Sequence, residues 1–161
     1  MFEKIRKMKN QKGFTLVELI VVLVILAILA ALLVPALTGY IDKANKEKVI
    51  ATTRMVVMAA QTEASEKYGL KASGTLTGGK LLKGTITGVT GGVAEVDNIK
   101  IDEIAKLAEV YDGTNFLNGV DAIYVNIDTK GVVTDAIVVQ SGFKCTYDAD
   151  ANGDKYTVSK K

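Results

Sequence analysis

The sequence predicts an α+β protein, in which a long N-terminal helix packs on a small antiparallel β-sheet. Three observations carry this. Apolar residues persist with helical spacing from Phe14 to about Tyr68. The last forty or so residues instead alternate with a period of two, broken by short turn clusters. Between these regions lies a glycine-rich connection, with seven glycines in the 21 residues from Ala72 to Gly92.

Residues 1–13, "MFEKIRKMKNQKG", are too polar to pack and too short to fold, and read as a leader. They hold five basic side chains against one acidic, which leaves 15 basic and 17 acidic in the rest of the chain. A basic stub ahead of an apolar run stays cytoplasmic, so the bulk of the chain is expected outside. The helix then begins with "FTLVELIVVLVILAILAALLVPAL". From Leu19 to Val34 there are 16 consecutive residues without a polar side chain, enough with the flanks for a slightly short or tilted membrane span. Pro35 is expected to kink the helix or open its hydrogen bonds locally, and Gly39 weakens the same region.

Past Gly39 the helix is expected to be amphipathic. Val49, Thr52, Thr53, Val56, Ala59 and Ala60 form an apolar stripe, with Lys43, Glu47, Arg54, Gln61 and Ser65 opposite. A helix from Phe14 to Tyr68 would be roughly 80 Å long, and Gly69 is the expected stop.

Residues 72–92 read as loop, with at most a short strand around Thr85 to Val89. In "IDEIAKLAEVY", Ile101, Ile104, Leu107, Ala108 and Tyr111 share one face of a short helix. Strands follow at 122–127, 132–139, 143–148 and 155–159, separated by "DTKG", "SG" and "DADANGD". Phe143, Cys145 and Tyr147 share one face, as do Tyr156 and Val158. A sheet with one apolar face needs a cover, which the amphipathic half of the helix supplies.

Chemistry is constrained by what the chain lacks. With no histidine, the commonest general base and zinc ligand is missing. The single cysteine, Cys145, cannot close an internal disulfide and alternates with aromatic residues as a buried thiol would. "DADANGD" matches the opening of a calcium loop at Asp148, Asp150, Asn152 and Gly153, but Ser159 stands where the bidentate glutamate belongs. A polar hairpin turn through Asn152-Gly153 is the simpler reading, and no metal is expected. "GTLTGGKL" (74–81) nearly fits a phosphate loop, but Leu81 replaces the required Ser or Thr. The slightly acidic remainder argues against nucleic-acid binding by this chain.

Glu18 is the residue that needs explaining, since a carboxylate next to a membrane-grade run is costly and marks a functional site. A short basic leader ending in Gly13, then "FTLVE", then the apolar run, resembles the class III signal of type IV prepilins. The resemblance is specific over residues 1 to about 68, and reaches the remainder only as architecture. It implies the type IV pilin fold, with a cleaved leader (1–13), a transmembrane and filament-core helix (14–38) and an extracellular globular domain (39–161).

It further implies that a prepilin peptidase cuts between Gly13 and Phe14 and methylates the new Phe14 amine. A platform protein and an ATPase would then assemble the chain into a helical homopolymer of the kind that serves adhesion, twitching motility or aggregation. The chain would be a major pilin, a structural subunit without enzymatic activity or cofactor. It would sit in the cytoplasmic membrane before assembly and in the extracellular pilus afterwards. Pro35 matches the family's helix-breaking proline. Many members close a C-terminal loop with two cysteines; this chain has one, which points to the Gram-positive branch.

Two partners compete for Glu18 after cleavage: the Phe14 ammonium of its own chain, where the helix dipole also favours it, and that of a neighbouring subunit. The resemblance favours the neighbour, a pairing that would fix axial register. Ala27 and Ala31 either let neighbouring helices approach closely or face lipid. The alternatives carried are a pseudopilin of a secretion or competence system, a minor pilin, and a secreted binding domain cleaved after Ala36. Tip pilins often lack the glutamate, so Glu18 favours a body subunit.

Overall fold

The computed structural model describes residues 13–71 and 74–161, so the basic leader lies almost wholly outside the described residues. Helix α1 runs from Leu16 to Leu70, unbroken through Pro35 and Gly39. Gly69 is not the stop. It lies in the last turn without a positive φ, and the chain leaves the helix after Leu70. The chain forms two compact units, one ending at Asp42 and the other running from Lys43 to Lys161.

The second unit is a five-stranded antiparallel sheet under the C-terminal half of α1. Its strands are β1 (Gly79–Lys83), β4 (Val120–Ile127), β5 (Val133–Gln140), β6 (Phe143–Asp148) and β7 (Tyr156–Lys160), paired in that spatial order. The inserts are a two-stranded hairpin, β2 (Glu95–Val96) and β3 (Ile99–Lys100), and helix α2 (Ile101–Leu107). The predicted stripe on α1 is buried, extended by Ala64. Its small residues let helix and sheet approach closely. Thr52 and Thr53 satisfy their hydroxyls on the carbonyls of Lys48 (3.0 Å) and Val49 (2.7 Å), so burial strands neither. Against this stripe lie Leu81, Ile123, Val125, Val138 and Cys145, all fully buried. Burial pushes the Cys145 thiol up, so it stays protonated and inert.

Gln61 does not belong to the solvent face. Its amide donates to the Gly131 carbonyl (2.7 Å) and accepts from the Val133 amide (3.0 Å), clamping the β4–β5 hairpin to α1. Gly131 is required there: at φ +75, a Cβ would come within 3.2 Å of the Ala64 carbonyl oxygen.

The glycine-rich connection holds a strand, but not at Thr85 to Val89, which form a turn. Strand β1 is "GKLLK", paired along its length with β4. Its outer edge is partly covered, because Val93 accepts from the Leu82 amide (2.9 Å) and donates its own amide to the Lys80 carbonyl (2.9 Å). The sheet is also buried on both faces rather than one. Residues 84–92 fold over the outer face, where Ile86, Ala122, Tyr124, Ile137 and Val139 form a second apolar cluster. In α2 the buried residues are Ile101, Ile104 and Ala105, while Leu107 is half exposed. The helix ends at Leu107, and Glu109 adopts φ +57, so the expected face stops short.

Asp97 fastens the insert. It and Asn98 take φ +54 and +62 in the β2–β3 turn. Its carboxylate, 7% exposed, accepts from the Lys71 ammonium (2.5 Å), the Thr77 amide (2.6 Å) and hydroxyl (3.0 Å), and the Gly78 amide (3.2 Å). Burial opposes the charge, but these donors outweigh it and hold the carboxyl below its usual range. A depressed folded-state pKa stabilises fully above the unfolded value, about 3.9 for aspartate, and that stabilisation fades as pH falls through the folded value. Asp97→Ala removes the largely buried carboxylate that four donor groups share and is expected to cost about 1–3 kcal/mol at pH 7. Thermal melts of the full chain in detergent should show the gap between wild type and Asp97→Ala closing below about pH 4. A gap that is constant down to pH 2 would contradict the assignment.

Candidate functional site

The candidate site is the start of α1. Gly13 and Phe14 precede the helix, and Phe14 is 85% exposed. The bond between them therefore lies in non-helical backbone. Thr15 is the N-cap and Glu18 stands three residues on. The Thr15 hydroxyl accepts from the Glu18 amide (3.2 Å), while Glu18 Oε2 accepts from the Thr15 amide and hydroxyl (both 2.9 Å). This is a capping box, and Leu19 N to Thr15 O (3.2 Å) closes the first helical turn.

So in the uncleaved chain Glu18 already has a partner, and it is neither of the two expected ones. The signal was present in the sequence as T-x-x-E before an apolar run. The box also explains how the site is positioned. It fixes where the helix begins, and so leaves Gly13 and Phe14 outside it.

Beyond Glu18 the apolar residues from Leu19 to Leu37 are all exposed, the large ones by about half to seven-tenths. The helix is long and apolar enough to cross a membrane. Pro35 cannot donate to the Ala31 carbonyl, so the ladder loses one bond there. Thr38 folds its hydroxyl back onto the Pro35 carbonyl (2.9 Å). Ala27 and Ala31 lie on this exposed stretch, one turn apart.

The two motif-like stretches set aside on sequence grounds take the following conformations. The loop from Asp148 is a hairpin connection closed by Asp148 N to Lys155 O (3.0 Å), and Asp148 Oδ1 accepts from the Asp150 amide (2.9 Å). Neither Asn152 nor Gly153 has a positive φ, so Asn-Gly does not make the turn in the way expected. No group of three or more His, Cys, Asp or Glu side chains gathers for a metal among the described residues. Residues 74–81 lead into β1 rather than into a helix, which no phosphate loop does.

An exposed apolar helix, capped at a threonine and running into a folded α+β domain, is consistent with a membrane-anchored chain. Residues 8–34 match the model of the prokaryotic N-terminal methylation motif, which is consistent with a class III signal peptide of the type IV prepilin kind. The chain is thus supported as a type IV pilin-like or pseudopilin-like precursor of α+β, pilin-like architecture. The motif implies processing by a prepilin peptidase and entry into a pilus-type system, and with the apolar helix it is consistent with membrane anchoring before assembly. Searches of curated proteins and of solved structures found no match.

Proposed function

We propose that the chain is a major pilin, the structural subunit of a type IV pilus. Cleavage between Gly13 and Phe14 removes the leader on the cytoplasmic side, and the Phe14 amine is methylated. Residues 14–38 hold the subunit in the membrane and then enter the filament core, and residues 39–161 form the extracellular domain. A platform protein and an ATPase drive the polymerisation. Within the filament Glu18 leaves its capping box to meet the Phe14 ammonium of a neighbour, and the weakened ladder at Pro35 lets the helix adapt.

The observation that carries this reading is the methylation motif running directly into a helix whose apolar side chains are exposed. Such a helix is stable only in lipid or among other helices. The same motif serves pseudopilins, so the test must weigh abundance as well as processing. Filaments sheared from cells should be dominated by this chain, beginning at methylated Phe14 by N-terminal mass analysis. A methylated chain found only in membranes, with filaments made of another protein, would assign it to the pseudopilins or minor pilins instead.

A further inference from the structure

A cavity of about 400 Å³ lies on the outer face of the sheet, away from α1 and beneath the turn at 88–90. The strand register builds it. Lys80, Asn126 and Asp135 stand opposite one another across β1, β4 and β5. The next row places Tyr124, Ile137 and Thr146 side by side across β4, β5 and β6. Val89 closes the cavity from the loop.

Tyr124 is 7% exposed, yet its hydroxyl has no hydrogen-bond partner among the described residues. Burial, aided by the Asp135 charge, pushes the phenol up, so it remains a donor at neutral pH. The Asn126 amide donates to the Thr134 hydroxyl (3.0 Å) and to Asp135 Oδ2 (3.1 Å), and Thr134 also donates to Oδ2 (2.8 Å). These bonds fix the orientation of both side chains and leave Asn126 Oδ1 and Asp135 Oδ1 as unpartnered acceptors. The Tyr124 ring is buried but its hydroxyl is accessible at the cavity it lines, so an unpartnered donor is presented there to whatever enters.

We propose that this cavity binds a neutral saccharide unit. The wall offers one fixed phenol donor, two fixed acceptors and the Thr146 hydroxyl, which suits the several hydroxyls on the edge of a sugar ring. Val89 and Ile137 offer the apolar contact that its C–H face needs. Lys80 and Asp135 cancel in charge, which disfavours a phosphate or a cation. One carboxylate is too few for a calcium site. The volume accommodates one or two sugar rings, within the range of small-molecule sites. This assignment does not depend on the role of the chain in a filament.

The test uses the full chain in an amine-oxide detergent, which carries no sugar headgroup. Saturation-transfer NMR is recorded with glucose, galactose, N-acetylglucosamine and N-acetylgalactosamine at millimolar concentration, and with glycine as a zwitterionic probe. At least one sugar should bind. Tyr124→Phe keeps the ring and the fold, and removes only the hydroxyl. It and Asp135→Asn should each weaken binding about tenfold. Thr129→Ala, on the β4–β5 turn, should bind as wild type. No binding by any of the four sugars overturns the proposal. So does equal binding by Tyr124→Phe and Asp135→Asn with circular dichroism unchanged, and so does a preference for glycine over every sugar.

Discussion

Glu18→Gln is expected to give a precursor that is cleaved and membrane-resident but does not build filaments. The structure sharpens this expectation. Glutamine completes a capping box as glutamate does, so the start of α1 and the exposure of Gly13 and Phe14 are preserved. The apolar run from Leu19 is untouched, and insertion is unaffected. What disappears is the negative charge. A neighbour's Phe14 ammonium entering an apolar core would then be unpaired, and an unpaired buried charge is strongly unfavourable. Filaments should fall roughly a hundredfold or more, counted by electron microscopy in cells with Glu18→Gln as their only copy. Mature chain in the membrane fraction should match wild type. Plentiful filaments of normal length would confine Glu18 to its cap. Thr15→Val supplies the complementary comparison. It removes the cap hydroxyl and keeps the charge, so filaments should persist.

Gly13→Val is expected to abolish processing. Nothing lies within 4 Å of a Cβ built at Gly13, so valine has no folding penalty there. Any effect must come from the enzyme that reads the bond. If the proposed peptidase reads this bond, a β-branched side chain in place of Gly13 would crowd its approach. The precursor should accumulate in the membrane, heavier than the mature chain by the 13 leader residues, with no methylated Phe14 by mass analysis. Normal processing of this variant would remove the peptidase from the account.

What the sequence conveyed depended on the range of the forces involved. Strands β4 to β7 were legible because alternation is local and their turns are short. The stripe from Val49 to Ala60 was legible for the same reason. Strand β1 was hidden because its glycines dominate the composition, although Gly78 and Gly84 take positive φ at its ends and spare the "KLLK" between them. Pairing with β4, more than forty residues on, makes it a strand. The β2–β3 hairpin is too short to show a period, and only Asp97-Asn98 hinted at it. Leu107 was misplaced because periodicity does not reveal where a helix ends. At the candidate site, the order of Gly13, Phe14 and Glu18 was plain. The cap was overlooked because one tetrapeptide, "TLVE", carries two meanings. It starts a helix and it sets a charge beside hydrocarbon.

The two edges of the sheet are unlike. Val93 shields β1, but among the described residues no strand pairs with the outer side of β7. An open edge is a template on which a second copy can add itself, and from there cross-β aggregation can grow. Strand β7 follows Lys155, ends in Lys160 with Lys161 next, and carries Thr157 and Ser159 between. Two such edges brought together would oppose like charges and bury hydroxyls for little apolar gain. Were many copies crowded side by side, that mismatch would disfavour joining them edge to edge.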